Sequence, residues 1–365
     1  ICIYERSFQF TVFERFVLIW GFIMLFGRDI GIDLGTTSVM VATRSKGVLL
    51  REPSVVAMDK NTGRLLNVGM AAQRMLGRTP GNIVAIRPLR DGAISDYDMT
   101  ERMLRELVRK AISFSLFKPR IIISVSSGIT EVEERAVIDA GIEAGARKVY
   151  LIEAPLAAAI GSGIDITKPD GHMVVDIGGG TTDVAILSLS GVVESESIKA
   201  AGEAFDDAII KYVRRKHNVL IGDSTAEELK KSIGCVFPRP ETTTVEVKGR
   251  CLMTGLPRIV PIGTTEILEA FEEVSERILE TIHRVLENTP PELVADVSQN
   301  GIVLTGGGSL LWGFDKLIES RTNIPTHIAD DAELCVGYGI GKSLDLVSDM
   351  HEGTINLARR KQMKS

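Results

Sequence analysis

Two stretches of the chain combine aspartate, glycine and threonine in a pattern that suits phosphate binding. Residues 30–37 read IGIDLGTT and residues 174–182 read VVDIGGGTT, so Asp33 and Asp176 lie 143 positions apart. In each stretch a glycine turn follows an apolar strand, and it exposes backbone N–H groups that phosphate oxygens can approach without meeting a Cβ. The predicted phosphate-binding residues are Gly35, Thr36, Thr37 and Ser38 in the first loop and Gly178, Gly179, Gly180 and Thr181 in the second.

The two aspartates are candidate metal ligands. Mg²⁺ favours one or two carboxylates together with phosphate oxygens and water, and Asp33 and Asp176 stand at strand ends beside the predicted phosphate loops. A single glycine-rich hairpin is more often an ordinary turn. Two copies with an aspartate at the same offset favour a binding site, because turn geometry does not require that aspartate. We therefore predict Mg²⁺ held through water.

A third glycine cluster follows a later strand. Residues 304–309 read LTGGGS, and the backbone of Gly306, Gly307 and Gly308 could lie flat against a nucleobase or a phosphate. Ser309 is predicted to cap a helix whose N-terminus faces the anion. The alternative is a strand-to-helix connection that needs flexible dihedral angles. Neither the lysine of a P-loop nor a GxGxxG fingerprint accompanies this cluster.

Composition bounds the class of protein. The 365 residues include 42 Lys and Arg against 48 Asp and Glu, a net charge of −6, and the length suggests two domains. An acidic chain whose one basic run is its C-terminal tail offers no electrostatic footprint for nucleic acid. We predict that this tail is a solvated end, with weak attraction to an anionic membrane as the alternative. The four cysteines are far apart and form no CxxC pair, which indicates a reduced, cytosolic chain without a zinc site.

Strand and helix signals alternate along the chain, which indicates an α/β protein. The predicted elements include hairpins over 29–42 and 173–189, strands over 121–125 and 302–305, helices over 99–114, 130–146, 203–215, 225–233 and 266–286, and helix starts at Ser309 and Asp331. Both halves of the chain begin with the same motif of a strand, an aspartate, a glycine turn and a threonine. This internal repeat implies two related domains that face each other.

The first 23 residues differ in composition from the rest. They hold seven aromatic residues, and residues 16–26 form an apolar run of 11, against the roughly 18 that a spanning helix needs. The first methionine is Met24. We predict that residues 1–23 are a non-native or disordered N-terminal extension, with an interfacial anchor as the alternative.

Taken in order, the three glycine loops resemble those of the actin, sugar-kinase and heat-shock-chaperone ATPase superfamily. Four further runs resemble the bacterial actin family of MreB and Mbl, namely 51–57 (REPSVVA), 85–92 (AIRPLRDG), 116–120 (LFKPR) and 289–293 (TPPEL). The resemblance covers residue 24 to about residue 347. It implies an α/β actin-like ATPase fold with two duplicated ribonuclease-H-like lobes, divided into four subdomains, around a nucleotide cleft.

The resemblance also implies domain boundaries. Lobe I would comprise residues 24–168 and 338–350, with a small subdomain inserted at about 57–89. Lobe II would comprise residues 169–337, with a small subdomain inserted at about 205–267, and residues 351–365 would form a tail.

The function that the resemblance implies is that of a cytoskeletal protein. It would bind ATP and Mg²⁺ and polymerise with itself into paired protofilaments that determine rod shape by organising cell-wall synthesis. The implied location is cytoplasmic and peripheral, on the inner face of the cell membrane. Membrane proteins of wall elongation are the other implied partners.

Matching positions carry the family's site residues over to this chain. Asp176 and Thr181 would serve catalysis, and Gly306, Gly307 and Gly308 would form the adenosine loop. Glu227 and Lys230 would contact adenosine, with an exposed helix face as the alternative interpretation.

Two apolar tips beside basic residues suit an anionic membrane surface. The predicted membrane residues are Met24, Leu25 and Phe26 before Arg28, and Leu116 and Phe117 before Lys118. Packing of Leu116 and Phe117 into the core is the alternative. The helix over 130–146 corresponds to the family's surface between protofilaments, although its residues Val132, Val137 and Ile138 could equally belong to the core.

One position departs from the family pattern where chemistry is expected. The family usually has Ile-Glu-Glu-Pro where this chain has Ile152-Glu153-Ala154-Pro155, and the second glutamate is expected to position the attacking water. Ala154 cannot accept a hydrogen bond, and the loss of such a group costs about 10² to 10⁴ in rate. We therefore predict ATP binding with slow or absent hydrolysis.

Two other classes share the superfamily. A small-molecule kinase of the sugar-kinase type would need a cleft carboxylate as base and an insertion that builds a substrate pocket, and the sequence shows no such insertion. A chaperone ATPase would need a substrate-binding domain after the lobes, and only about 17 residues follow Ser348. The filament-forming scaffold is therefore the leading hypothesis.

Overall fold

The computed structural model describes residues 29–112 and 117–345. Its strands are β1 (Ile30–Leu34), β2 (Ser38–Thr43), β3 (Gly47–Pro53), β4 (Val56–Asp59), β5 (Leu65–Val68), β6 (Ile83–Ile86), β7 (Leu89–Arg90), β8 (Ala93–Ile94), β9 (Arg120–Val125), β10 (Lys148–Glu153), β11 (His172–Ile177), β12 (Thr182–Ser188), β13 (Gly191–Ile198), β14 (Val219–Leu220), β15 (Thr244–Cys251), β16 (Pro257–Gly263), β17 (Ile302–Thr305) and β18 (Thr326–Ile328).

The α-helices of the same residues are α1 (Met70–Gln73), α2 (Tyr97–Ala111), α3 (Glu131–Glu143), α4 (Ala154–Ser162), α5 (Gly202–His217), α6 (Asp223–Ile233), α7 (Thr264–Asn288), α8 (Pro291–Asn300), α9 (Phe314–Thr322) and α10 (Cys335–Ser343). Two short 3₁₀ helices span Gly307–Leu310 and Ala332–Leu334.

Two five-stranded sheets have the same topology. Their orders are β3-β2-β1-β9-β10 and β13-β12-β11-β17-β18. In each sheet the first three strands in sequence form antiparallel pairs, and the first strand also pairs in parallel with the fourth. The fourth and fifth strands are parallel in both sheets. The repeat predicted from the two aspartate loops is confirmed at the level of whole sheets.

Two smaller antiparallel sheets accompany the large ones. Strands β4, β5 and β6 form one of them, and β14, β15 and β16 form the other. The first falls between β3 and β9 in the chain and the second between β13 and β17, so each half carries one inserted sheet. The exact lobe boundaries stay a prediction, and residues 1–23 and 351–365 lie outside the described residues.

Helices cover the large sheets because both faces of their central strands are apolar. Strand β12 is buried at every position, and β11 and β17 are buried nearly throughout. Helix α7 presents an apolar stripe to the second sheet, where Phe271 packs edge-on against Phe205. Helix α2 does the same for the first sheet through Met103, Leu104 and Leu107.

Helices α4 and α10 lie between the two sheets and touch backbone to backbone. A Cβ on Gly161 would stand 1.7 Å from the carbonyl oxygen of Cys335, and one on Gly339 would stand 1.7 Å from that of Ala157. Real Cβ atoms do not approach backbone so closely, so only glycine permits this crossing. The side chains around the crossing form an apolar core that joins both sheets.

Most predicted elements are present with ends shifted by a few residues. The capping box of Thr130 and Glu133 is confirmed at the start of α3. The prediction that Ser309 caps a helix is wrong, because Ser309 lies inside a 3₁₀ helix and donates its hydroxyl to the carbonyl of Gly306 at 2.6 Å. The next α-helix begins only at Phe314, after Gly313 takes a left-handed conformation.

The membrane predictions fall largely outside the described part of the chain. Met24, Leu25, Phe26 and Leu116 are not among the described residues, whereas Phe117 is 52% exposed. Within the described residues, no helix has the length and apolarity needed to cross a bilayer.

The glycine crossing makes a direct stability prediction. Gly339→Ala should lower the free energy of unfolding by about 3 kcal/mol or more, because the added methyl group meets a backbone carbonyl that cannot rotate away. Gly81→Ala is the matched control, since a Cβ there meets no atom within 4 Å, and it should change stability by less than about 0.5 kcal/mol. Urea denaturation measures both, and equal effects of the two substitutions would contradict the account.

Candidate functional site

The two aspartate hairpins meet at the centre of the molecule. A Cβ on Gly179 would lie 2.3 Å from the Thr37 side chain, and one on Gly180 would lie 2.4 Å from the Thr36 hydroxyl. The second hairpin is closed by a hydrogen bond from the Gly178 N–H to the Thr181 carbonyl at 2.9 Å. Glycine is therefore needed in the second loop because the first loop occupies the space of its side chains.

All of the described residues predicted for the nucleotide site line one cavity of about 730 Å³. They are Asp33, Gly35, Thr36, Thr37 and Ser38, then Asp176, Gly178, Gly179, Gly180 and Thr181, then Glu227 and Lys230, and finally Gly306, Gly307 and Gly308. Ala154 lies on the same wall. The fold brings together residues separated by up to 275 positions, although their contact with a nucleotide stays a prediction.

Asp33 is a half-buried carboxylate and Asp176 is a buried one, and both face the cavity. Asp33 accepts a hydrogen bond from the Ser124 hydroxyl at 2.6 Å, and Asp176 accepts one from the Thr305 hydroxyl at 3.0 Å. Burial raises the pKa of Asp33 to about 6. Burial and the negative charges of Asp183 and Asp33 raise the pKa of Asp176 to about 7.

The carboxylates of Asp33 and Asp176 suit Mg²⁺ better than they suit a metal ion whose ligands all come from the protein. Burial is the main cause of the raised pKa of both carboxylates, and a cation bound with phosphate would stabilise their charged forms. Among the described residues, no three acidic, histidine or cysteine side chains form a ready-made metal cage. Magnesium, which keeps several waters and phosphate oxygens as ligands, fits this arrangement.

Asp183 is a site residue that the sequence analysis missed. It lies on β12 and accepts hydrogen bonds from the Ser126 hydroxyl at 2.6 Å and the Ser127 N–H at 2.9 Å, both in the segment after β9. It thereby ties the second large sheet to the first. Asp183 pairs with Asp176 across β11 and β12, whereas Met40 occupies the equivalent place opposite Asp33. An aspartate in the second repeat where the first repeat has Met40 is the feature of the sequence that could have identified Asp183 as a site residue.

The far end of the cavity is formed by α6 and the third glycine loop. Gly306 has a φ of +80°, and a Cβ there would lie 2.4 Å from the carbonyl oxygen of Ile177, so this loop packs directly onto the end of β11. Glu227 receives a hydrogen bond from Lys231 at 2.6 Å. Lys230 turns instead toward α5, where it donates to Asp206 at 2.6 Å.

Ala154 and Glu153 stand differently at the start of α4. Ala154 is the first residue of the helix and lines the cavity. Glu153 is the preceding N-cap residue, is 9% exposed and is absent from the cavity wall. Its carboxylate accepts a long hydrogen bond from the Ser127 hydroxyl at 3.4 Å. The side chain next to Ala154 therefore does not take the place of a carboxylate in the cavity.

The raised pKa values predict how stability depends on pH. Between about pH 4 and pH 7 the folded protein binds more protons at Asp33 and Asp176 than the unfolded chain, so the nucleotide-free protein loses stability as pH rises through that window. Thermal unfolding at pH 5 and pH 8 measures this loss. Asp176→Asn should reduce it, and Asp170→Asn, at an exposed position, should leave it unchanged.

An equal pH dependence in the wild type and Asp176→Asn would contradict this account. Addition of Mg²⁺ and nucleotide should flatten the dependence, since a cation favours the charged carboxylates.

Comparison with known proteins identifies the family. The chain matches the family described as MreB/Mbl protein over residues 27–352. It is 48% identical over 322 residues to the cell shape-determining protein Mbl of Bacillus cereus, covering 88% of this chain and 97% of that protein. It is 46% identical over 337 residues to the cell shape-determining protein MreB of Escherichia coli, covering 91% and 97% respectively.

Solved structures agree with this family and with the fold. The crystal structures of MreB5 of Spiroplasma citri bound to ADP and to AMPPNP each match with a TM-score of 0.84 and 37% identity, covering 89% of this chain and 98% of theirs. The MamK double helical filament matches with a TM-score of 0.74 at 22% identity, which bears on the fold alone. The predicted actin-like fold is confirmed, and the chain belongs to the MreB/Mbl family of bacterial actin-like proteins.

Proposed function

We propose that this protein binds ATP and Mg²⁺ and polymerises into membrane-associated filaments that determine cell shape by organising wall synthesis. The observation that carries the proposal is the single cavity on which three separate glycine loops and the two aspartates Asp33 and Asp176 converge. The cell-shape role is supported by relatives that are named cell shape-determining proteins. Family membership also favours this function over a small-molecule kinase of the same superfamily.

The backbone of the two hairpins would hold the phosphates. Loop N–H groups from Gly35 to Thr37 and from Gly178 to Thr181 would donate to phosphate oxygens. Asp33 and Asp176 would hold Mg²⁺ through water, and the ion would neutralise phosphate charge. Adenosine would occupy the end of the cavity formed by Glu227 on α6 and the glycine loop at 306–308. The support from relatives is that MreB5 of Spiroplasma citri binds ADP and AMPPNP.

Hydrolysis would be slow in this chain. Asp176 and Thr181 would remain in place beside the phosphates, but the methyl group of Ala154 offers no acceptor for the attacking water. Glu153 is buried away from the cavity wall. Filament turnover would then depend on nucleotide binding more than on hydrolysis.

Two surfaces support assembly on a membrane. Val132 is 79% exposed on the first turn of α3, whereas Val137 of the same helix is buried. An exposed valine among the acidic residues of this turn suits a contact between protofilaments. Phe117 is 52% exposed and precedes Lys118, which suits insertion of an aromatic tip beside anionic headgroups. The inner face of the cytoplasmic membrane is the proposed location, and wall-elongation membrane proteins are the proposed partners.

The rate of hydrolysis tests the role of Ala154. Ala154→Glu should raise phosphate release by about 10² to 10⁴, since it restores a carboxylate that can position water. Glu153→Gln is the control, and it should leave the slow rate of the wild type unchanged. A wild-type turnover already equal to that of Ala154→Glu would contradict the prediction.

Filament formation on lipid tests the function as a whole. Purified protein with Mg²⁺ and ATP should form paired filaments on vesicles that contain anionic lipid, as seen by electron microscopy. Phe117→Ser should reduce co-sedimentation with vesicles roughly tenfold and leave filament pelleting without lipid unchanged. Absence of filaments under all nucleotide and lipid conditions would overturn the proposed function, and equal vesicle binding by both proteins would overturn the role of Phe117 alone.

A further inference from the structure

The hairpin of β15 and β16 ends in an exposed apolar tip. The two strands pair in antiparallel fashion as far as Arg250 and Pro257, and residues 251–256, here called the hairpin tip, connect them. Four large apolar side chains at or beside the tip are exposed, namely Leu252 (42%), Met253 (80%), Leu256 (65%) and Ile259 (53%). An exposed apolar cluster of this kind marks a surface that binds another molecule or a membrane.

Three exposed basic side chains flank the hairpin tip. Residues 248–259 read KGRCLMTGLPRI and contain no acidic residue, although the chain as a whole carries a net charge of −6. Lys248 lies directly opposite Ile259 across the two strands, and Arg250 follows two residues further along the same face of the sheet. Arg258 adds a third base next to Ile259. The tip is therefore a locally cationic region of an acidic chain.

The backbone N–H groups of the hairpin tip are paired within the protein. Three of them donate to backbone carbonyls at 2.8 Å, namely those of Cys251, Leu252 and Gly255. The N–H of Leu256 donates to the Thr254 hydroxyl at 3.4 Å. The Thr254 hydroxyl and the N–H groups of Thr254 and Met253 hydrogen-bond to the Cys251 sulfur, and they lower the pKa of this thiol to about 7. The tip can therefore enter a lipid interface without desolvating an unpaired N–H group.

A lipid surface fits the hairpin tip better than a protein groove does. An apolar tip flanked by bases can insert into the interface while the bases contact anionic headgroups, and no matching shape is needed. A protein partner would have to supply an acidic and apolar groove for this convex tip. The cavity of about 510 Å³ between α5 and α7 is lined mainly by charged side chains of both signs, so it is not such a groove on a second copy of the chain.

We propose that the hairpin tip is a second lipid-binding site of this protein, with anionic headgroups as its ligands. Met253 and Leu256 would enter the interface, and the three bases would contact the headgroups. The inference rests on the proposed membrane association, and it adds to the contact of Phe117 a site in the other half of the chain. Contacts from both halves would fix the orientation of the molecule on the surface.

Vesicle binding by the full chain tests the proposal. Met253→Ser combined with Leu256→Ser should reduce co-sedimentation with vesicles of phosphatidylcholine and phosphatidylglycerol about tenfold, because two apolar side chains no longer enter the interface. Lys248→Gln combined with Arg250→Gln should reduce binding to the same vesicles about tenfold or more and leave binding to pure phosphatidylcholine unchanged.

Leu189→Ser is the matched control. Leu189 is 52% exposed in the turn of the hairpin of β12 and β13, where residues 186–196 (ILSLSGVVESE) contain no basic residue. Its loss should leave vesicle binding unchanged, because this turn lacks the bases that would hold it at an anionic surface. All of these side chains are exposed, so thermal unfolding should show the same midpoint for every variant and for the wild type.

Tryptophan fluorescence measures insertion of the tip directly. In Met253→Trp the new side chain should emit at shorter wavelength when anionic vesicles are added, and brominated lipid should quench it. The signal of Trp20 and Trp312 is subtracted with the wild type. Thr244→Trp, at an exposed position at the far end of the same hairpin, should show neither change.

Equal vesicle binding by the wild type and the double serine variant would overturn the proposal and leave the contact of Phe117 standing. Short-wavelength emission of Met253→Trp without vesicles would count against it, because the tip would then be covered by protein. Loss of filament pelleting without lipid, with vesicle binding retained, would replace it by a contact between copies of the chain. A wild type that binds no vesicles would remove both this inference and the proposed membrane association, so the failures are distinguishable.

Discussion

The backbone contact between α4 and α10 is the constraint on which the rest of the molecule depends. Gly161 and Gly339 let the two helices approach until each meets a carbonyl of the other. Helix α4 also packs against β11 and β12, while α10 packs against β1, β2 and β3, so the crossing sets the distance between the two large sheets. That distance decides whether the threonines of the first hairpin reach the glycines of the second, and with them whether a cavity exists between the loops.

The electrostatic design of the cavity follows from this geometry. Three carboxylates lie where the sheets meet, Asp176 and Asp183 buried and Asp33 half-buried, and they differ in their hydrogen-bond partners. Asp183 accepts hydrogen bonds from Ser126 and Ser127, which directly follow β9 of the opposite sheet, and so helps to join the two large sheets. Asp33 and Asp176 each accept a hydrogen bond from one side-chain hydroxyl and otherwise face the cavity. This single hydrogen bond does not offset the desolvation of the carboxylate, so the pKa of both is raised. Protein groups alone stabilise the Asp183 carboxylate, whereas the Asp33 and Asp176 carboxylates are suited to binding a cation.

Short-range sequence motifs predicted the helices and strands well but predicted their long-range side-chain contacts poorly. The repeat of aspartate and glycine located both hairpins, and the pair Thr130 and Glu133 located the start of α3, because these features depend on residues a few positions apart. Ser309 was misread as a helix cap because the same serine chemistry also stabilises a 3₁₀ turn. Asp183 was overlooked because its partners Ser126 and Ser127 lie more than 50 positions away.

The sequence by itself determined the α/β class, the duplicated halves, the three glycine loops, the family resemblance and the substitution at Ala154. Each of these features can be recognised from residue types that lie a few positions apart. Only the tertiary structure decided that Val132 is exposed and Val137 buried, that Lys230 pairs with Asp206, and that Asp183 bridges the two large sheets. Those outcomes depend on which surfaces are brought together by long-range packing, and helical period or residue type alone does not specify the partner.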